Sequence, residues 1–141
     1  MPKKIALVSA CLLGLPARYD GSEKMCEALL ALRDEYILVP VCPEQLGGLA
    51  TPRNPAEIVG TKVFDRQKND VTTNFQKGAE AVLVLAKILE PDIIIFKERS
   101  PSCGVNTIYD GSFTGKKIDG SGITTSLLKK FYKVISEEDL G

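Results

Sequence analysis

The stretch Asp92-Ile-Ile-Ile-Phe-Lys97 decides the fold. Its apolar, β-branched run has no polar alternation, so it reads as a strand buried on both faces. Two other runs share the character. Lys4-Ile-Ala-Leu-Val-Ser9 reads as a first buried strand and Tyr36-Ile-Leu-Val-Pro-Val41 as a second, with Pro40 marking an edge or a kink. Between the strands lie helical patterns. Thr73 to Leu89 carries Phe75, Ala79, Val82, Leu83 and Ala86 at helical spacing, with Thr72 or Thr73 as cap and Pro91 as stop. Ser22 to Arg33 reads as an earlier helix capped by Ser22, and Thr124 to Val134 as the last. Doubly apolar strands separated by helices predict an α/β fold: a single-domain, Rossmann-like three-layer α/β/α arrangement over residues 1–141 with a mainly parallel sheet.

The segments between are unequal. Residues 42–60 are rich in Gly, Pro and Asn and read as a long functional loop, in which Arg53 and Glu57 could pair as a brace. Lys62–Asp65 and the stretch around Val71 suggest a small hairpin. Residues 98–122 hold five glycines and read as a second loop region. Its part from Gly111 to Gly122 lacks the spacing of a phosphate-binding P-loop and is read as a cover over a site.

Composition limits the function. The 141 residues are 44% hydrophobic and 26% charged, as in ordinary soluble proteins. Lys plus Arg (18) equals Asp plus Glu (18), which argues against a nucleic-acid polymer as partner. No run approaches the roughly 20 apolar residues of a membrane span. The run before Cys11 is too short for a secretory signal, so Leu7-Val-Ser-Ala-Cys11 is not taken as a lipid-attachment site, and the expected location is cytoplasmic.

Four cysteines in such a chain are read as thiols, metal ligands or reactive groups rather than disulfides. Ligands of open parallel sheets bind outside the carboxyl ends of the strands. Cys11 follows the first strand, Cys42 the second, and Cys103 comes a few residues after the third. Three cysteines distant in sequence are therefore expected on one rim, whereas Cys26, inside the predicted first helix, is assigned to packing. The chain has no histidine, so mixed Cys/His zinc sites are closed to it. Three thiolates suit a [4Fe–4S] cluster, which would keep one iron open to a sulfur-bearing ligand. Glu44, two residues from Cys42, is the candidate acid or base. Ser100 and Ser102, beside Cys103, are candidate hydrogen-bond donors or proton carriers. No Cys-x-x-Cys pair supports a thiol redox protein.

Several motifs together resemble a known family: Ser9-Ala-Cys11-Leu-Leu-Gly14, Arg18-Tyr-Asp-Gly21, Cys42-Pro-Glu-Gln-Leu-Gly-Gly-Leu49, Thr51-Pro-Arg53, Lys97-Glu-Arg-Ser-Pro-Ser-Cys-Gly104, Tyr109-Asp-Gly111 and Gly122-Ile-Thr-Thr125. They resemble the small bacterial family, once listed only as a domain of unknown function, that includes the thiouracil desulfidases. The resemblance implies an oxygen-sensitive [4Fe–4S] cluster on Cys11, Cys42 and Cys103. It implies removal of sulfur from a thiolated pyrimidine, with oxygen entering from water. It also implies an assisting carboxylate and serine, which map onto Glu44 and Ser100, with Ser102 the alternative for that serine. The expected partner is a small thiolated nucleobase, with the chain a monomer or homodimer. A non-enzymatic iron–sulfur or sulfur carrier using the same thiolates is the alternative.

Overall fold

The computed structural model describes residues 3–140. In chain order the elements are β1 (Lys4–Ser9), α1 (Glu27–Leu30), β2 (Tyr36–Val41), α2 (Pro43–Leu46), β3 (Ala56–Val59), β4 (Lys62–Asp65), α3 (Thr72–Leu89), β5 (Ile93–Phe96), β6 (Thr107–Tyr109), β7 (Lys117–Asp119), α4 (Ile123–Leu128) and β8 (Val134–Ser136). Tight 3-10 turns follow β1 (Ala10–Leu13), α1 (Ala31–Asp34) and β8 (Glu137–Leu140). The central sheet is parallel throughout, in the order β2-β1-β5-β8.

Side chains of a strand alternate between faces, and both faces here are apolar. Leu7, Ile94 and Phe96 pack under Val82 and Ala86 of α3 and Leu128 of α4. Ala6, Val8 and Ile95 pack on the other face against Leu29 of α1 and Leu12. These are the two helical layers that flank the sheet.

The strand order also makes a crevice. From β1 the chain moves outward to β2, then returns across β1 to β5 and moves outward the other way to β8. The connections leaving β1 and β5 part in opposite directions, which opens a cleft at their carboxyl ends. Pro40 lies in β2, an edge strand, where the missing N–H is tolerated.

Helix α3 buries Phe75, Ala79, Val82 and Ala86 on one stripe. It ends where Glu90 turns left-handed (φ 51°) ahead of Pro91. Short α2 lies directly on it through two facing glycines. A Cβ on Gly47 would sit 2.0 Å from the Asn74 carbonyl oxygen, and one on Gly78 would sit 2.0 Å from that of Pro43. Only glycine permits this approach.

Several sequence-based expectations are corrected. Residues 22–26 are not helical. The Ser22 hydroxyl and N–H bind Asp20 Oδ1, and the N–H groups of Lys24 and Cys26 donate to the carbonyls of Cys11 and Leu12, which pulls the segment against the turn after β1. Cys26 is thus the extended residue ahead of α1, not a mid-helix residue. The last helix stops at Leu128, and Val134–Ser136 is a fourth strand of the sheet. Residues 42–60 are not one loop, because they contain α2 and β3. The hairpin at Lys62–Asp65 pairs with Ala56–Val59, and only an isolated bridge joins Phe64 to Asp70. Neither Thr72 nor Thr73 caps α3. Val71 occupies that position, and Asp70 Oδ1 accepts the Thr72 N–H.

Candidate metal centre

Each candidate thiol lies beyond the carboxyl end of a parallel strand. Cys11 lies in the 3-10 turn after β1, which Gly14 closes with a left-handed φ of 88°. Cys42 is the extended residue between β2 and α2, and Pro43 starts that helix. Cys103 lies in the loop after β5. Its N–H donates to Ser100 Oγ at 3.0 Å, and its carbonyl accepts the Thr125 hydroxyl at 2.8 Å. The start of α4 presses on this loop so closely that a Cβ on Gly122 would lie 2.4 Å from the Ser102 carbonyl carbon.

The three thiols line one cavity of about 500 Å³ at the carboxyl rim, a volume suited to a small molecule. Cys26 is not among its lining residues and packs against the Ala6–Val8 face. Burial pushes the Cys11 thiol up to about 11, against the opposing pull of Lys97 and Arg18. Burial pushes Cys103 up to about 12 and raises Cys42 as well. Thiols held protonated this firmly are poor free nucleophiles. They become thiolates when a metal takes the proton's place.

A single ion holds its ligands about 2.0–2.3 Å from one point. Among the described residues no group of three His, Cys, Asp or Glu side chains is arranged to hold a single metal ion. Three cysteine thiols lining one cavity, in a chain with no imidazole, are a donor set that fits an iron–sulfur cluster, whose thiolates attach to different irons.

A polar chain runs along the same wall. Ser102, 2% exposed, donates its hydroxyl to Glu44 Oε2 at 3.0 Å and lies 3.0 Å from the Ser100 hydroxyl. Its Oγ is also 3.7 Å from Cys103 Sγ. The other Glu44 oxygen accepts from Arg53 Nε at 2.9 Å. Arg53 goes on to bind the Ala17 carbonyl and Thr51 Oγ1, and its Nη2 lies 3.8 Å from Cys42 Sγ. Arg53 therefore pairs with Glu44 and not with Glu57. Glu57 instead accepts the N–H groups of Gly111 and Phe113.

The sequence reading missed two further carboxylates. Glu98, 3% exposed, accepts the N–H groups of Val105, Asn106 and Thr107 on one oxygen at 2.8–3.0 Å. Burial alone would raise its carboxyl, but these three donors and Ser136 outweigh it and hold it below the ordinary glutamate range. It ties the far end of the Cys103 loop to the near end. Glu137 binds the Glu98 N–H and pairs with Lys97 Nζ at 3.2 Å, so the turn after β8 braces the same loop. Nothing local marks Glu98, because its donors lie seven to nine residues downstream. Glu137 is the partner of a strand the sequence did not reveal. The segment from Gly111 to Gly122 supplies most of the connecting loop and the second strand of the β6–β7 hairpin, and Phe113 and Gly115 of that loop line the cavity.

A parallel α/β sheet whose switch-point cleft gathers three thiols and an acid–hydroxyl chain has the form of an enzyme site with a thiol donor set. The sequence profile of the 2-thiouracil desulfurase family matches residues 6–139, and the chain belongs to that family. It is 46% identical over 145 residues to the uncharacterized protein YbbK of Bacillus subtilis (strain 168), which covers 95% of this chain and 96% of the relative. It also resembles the solved structure of the [4Fe-4S]-dependent thiouracil desulfidase TudS. The TM-score is 0.90 at 44% identity, over 99% of this chain and 93% of that one.

Proposed function

We propose that this protein is a [4Fe–4S]-dependent desulfidase that replaces the sulfur of a thiolated pyrimidine of the 2-thiouracil type by oxygen from water. The domain would act as one unit, with Cys11, Cys42 and Cys103 holding the cluster. The observation that carries the reading is the Glu44–Ser102–Ser100 hydrogen-bond chain on the wall that also presents the three thiols. When bound, a cluster held by three cysteines supplies an open, thiophilic iron that polarises the thiocarbonyl.

The chain's own groups do the acid–base work. Glu44 is aimed by Arg53 and is the base that takes a proton from the attacking water. Ser102 holds the second Glu44 oxygen and passes protons to Ser100, which lines the cavity and faces the substrate ring. Lys97 and Arg18 line the cavity near Cys11, where their charge offsets that of thiolates and sulfide.

The test is sulfide release from 2-thiouracil by anaerobically reconstituted protein. Many turnovers per protein support the enzyme. Release of no more than one sulfide per protein would instead mark the same thiolates as a sulfur carrier.

A further inference from the structure

Three aromatic side chains line the cavity: Tyr19, Tyr109 and Phe113. The Arg18 guanidinium lies 5.8 Å from the Tyr19 ring centroid and covers one of its faces. Tyr109 is held in β6, paired with Lys117. Phe113 is built differently. It is half-buried on the loop joining β6 and β7, and its backbone is left-handed, with φ 58°. A bulky side chain adopts that region at a cost, and such residues collect at functional sites. Here the conformation is enforced. Glu57, 9% exposed, uses one oxygen to accept the N–H of Gly111 at 3.0 Å and of Phe113 at 3.2 Å. The loop is thereby tied to β3 as a fixed wall.

Phe113 has no polar atom to offer. In a cavity walled by Glu44, Ser100, Lys97 and Arg18, it adds a flat apolar face. A pyrimidine has two such faces and stacks favourably on an aromatic ring. Building on the proposed desulfidase reading, we infer that Phe113 is the stacking platform for the substrate ring and Glu57 is the residue that positions it. Together they select planar, conjugated thiocarbonyl compounds. The polar chain of Glu44 and the serines then meets the ring at its edge.

The test uses reconstituted holoenzyme. Phe113→Leu is expected to raise KM for 2-thiouracil and the inhibition constant of uracil by about tenfold each. Its kcat should stay within about twofold of the parent, as should its brown cluster absorbance. Phe113→Tyr, which keeps the ring, should restore both constants. Glu57→Ala should raise KM as Phe113→Leu does, and Glu57→Gln, which keeps an acceptor oxygen, should do so less. Unchanged KM and inhibition constant in Phe113→Leu would overturn the inference. So would a fall in kcat alone, or the tenfold effect appearing in Tyr109→Leu and not at Phe113. If the parent released no sulfide, the desulfidase reading would fail by itself. Calorimetric binding of uracil to parent and Phe113→Leu would still decide the platform.

Discussion

The Ser102 hydroxyl donates to Glu44 Oε2 at 3.0 Å, across 58 positions of sequence. This bond joins helix α2, which Cys42 precedes, to the loop that carries Cys103, so the proposed acid–base group and these two thiols are tied by one contact. Glu44 cannot move without disturbing Ser102, whose own Oγ lies 3.7 Å from Cys103 Sγ.

Glu44 and Ser102 should therefore act as a unit. Glu44→Gln and Ser102→Ala are each expected to lower kcat about 100-fold, the usual scale of a lost acid–base group. The double variant should lose little more, because residues sharing a network are not additive. A double-mutant cycle on sulfide release checks this. Additive losses, near 10,000-fold together, would show that the two act separately.

Arg53 makes contacts that a lysine cannot copy. Its Nε, Nη1 and Nη2 reach Glu44, Thr51 Oγ1 and the Ala17 carbonyl from a side chain that is 7% exposed. Arg53→Lys keeps the charge but loses the planar fork. About 2 kcal/mol of stability should be lost, short of the cost of removing the charge outright. Denaturant unfolding measures this, and sulfide release should fall with it as Glu44 loses its support.

Gly78 inverts an ordinary rule. Gly→Ala within a helix normally stabilises by about 1 kcal/mol. At Gly78 the added carbon would meet the Pro43 carbonyl oxygen at 2.0 Å. Gly78→Ala should instead destabilise by about 1–3 kcal/mol, as overpacking does. It should also displace α2, and with it Cys42 and Glu44, lowering the iron bound after reconstitution. Melting temperature and iron content report the two effects.

Glu98 gives the fold a pH dependence whose direction is set. Its carboxyl is held below the ordinary value of 4.5, so the unfolded chain binds its proton more readily than the folded one. The resulting stability is complete above that ordinary value and is lost as pH falls through the lower folded value. Glu98→Gln should cost about 2 kcal/mol at pH 7, where the three N–H groups lose a charged acceptor. The gap between wild type and variant should close on acidification below pH 4.5. Urea unfolding of both proteins from pH 7 to pH 3 follows it.

The sequence discloses this molecule unevenly, for physical reasons. Ile93–Phe96 and Lys4–Ser9 announce themselves because central parallel strands are apolar on both faces, whereas Tyr36–Val41, expected to be buried, is an edge strand with Ile37 and Pro40 exposed and only Val41 buried. Their carboxyl ends lie on one rim, so Cys11, Cys42 and Cys103 could be placed together before any geometry was known. Val134–Ser136 stayed hidden because a three-residue strand has no periodicity and follows the polar run Lys129-Lys130-Phe-Tyr-Lys133. Residues 22–26 imitate a helix by composition, but their N–H groups are taken by the turn at Cys11 and Leu12. Arg53 and Glu57 are expected to brace a loop as near neighbours in sequence, yet Glu57 lies in a strand and Arg53 turns toward Glu44. Partners such as Glu44 and Ser102, brought together only by the closed fold, leave no local trace.

The most direct measurement is anaerobic reconstitution with iron and sulfide of the wild-type chain and of Cys11→Ala, Cys42→Ala, Cys103→Ala and Cys26→Ala, followed for brown absorbance, iron content and sulfide release from 2-thiouracil. Wild type and Cys26→Ala should take up a cluster and turn over. The other three should hold no stable cluster and release no sulfide. Full activity after loss of Cys11, Cys42 or Cys103, or loss of the cluster on removing Cys26 alone, would contradict a centre built on the three rim thiols.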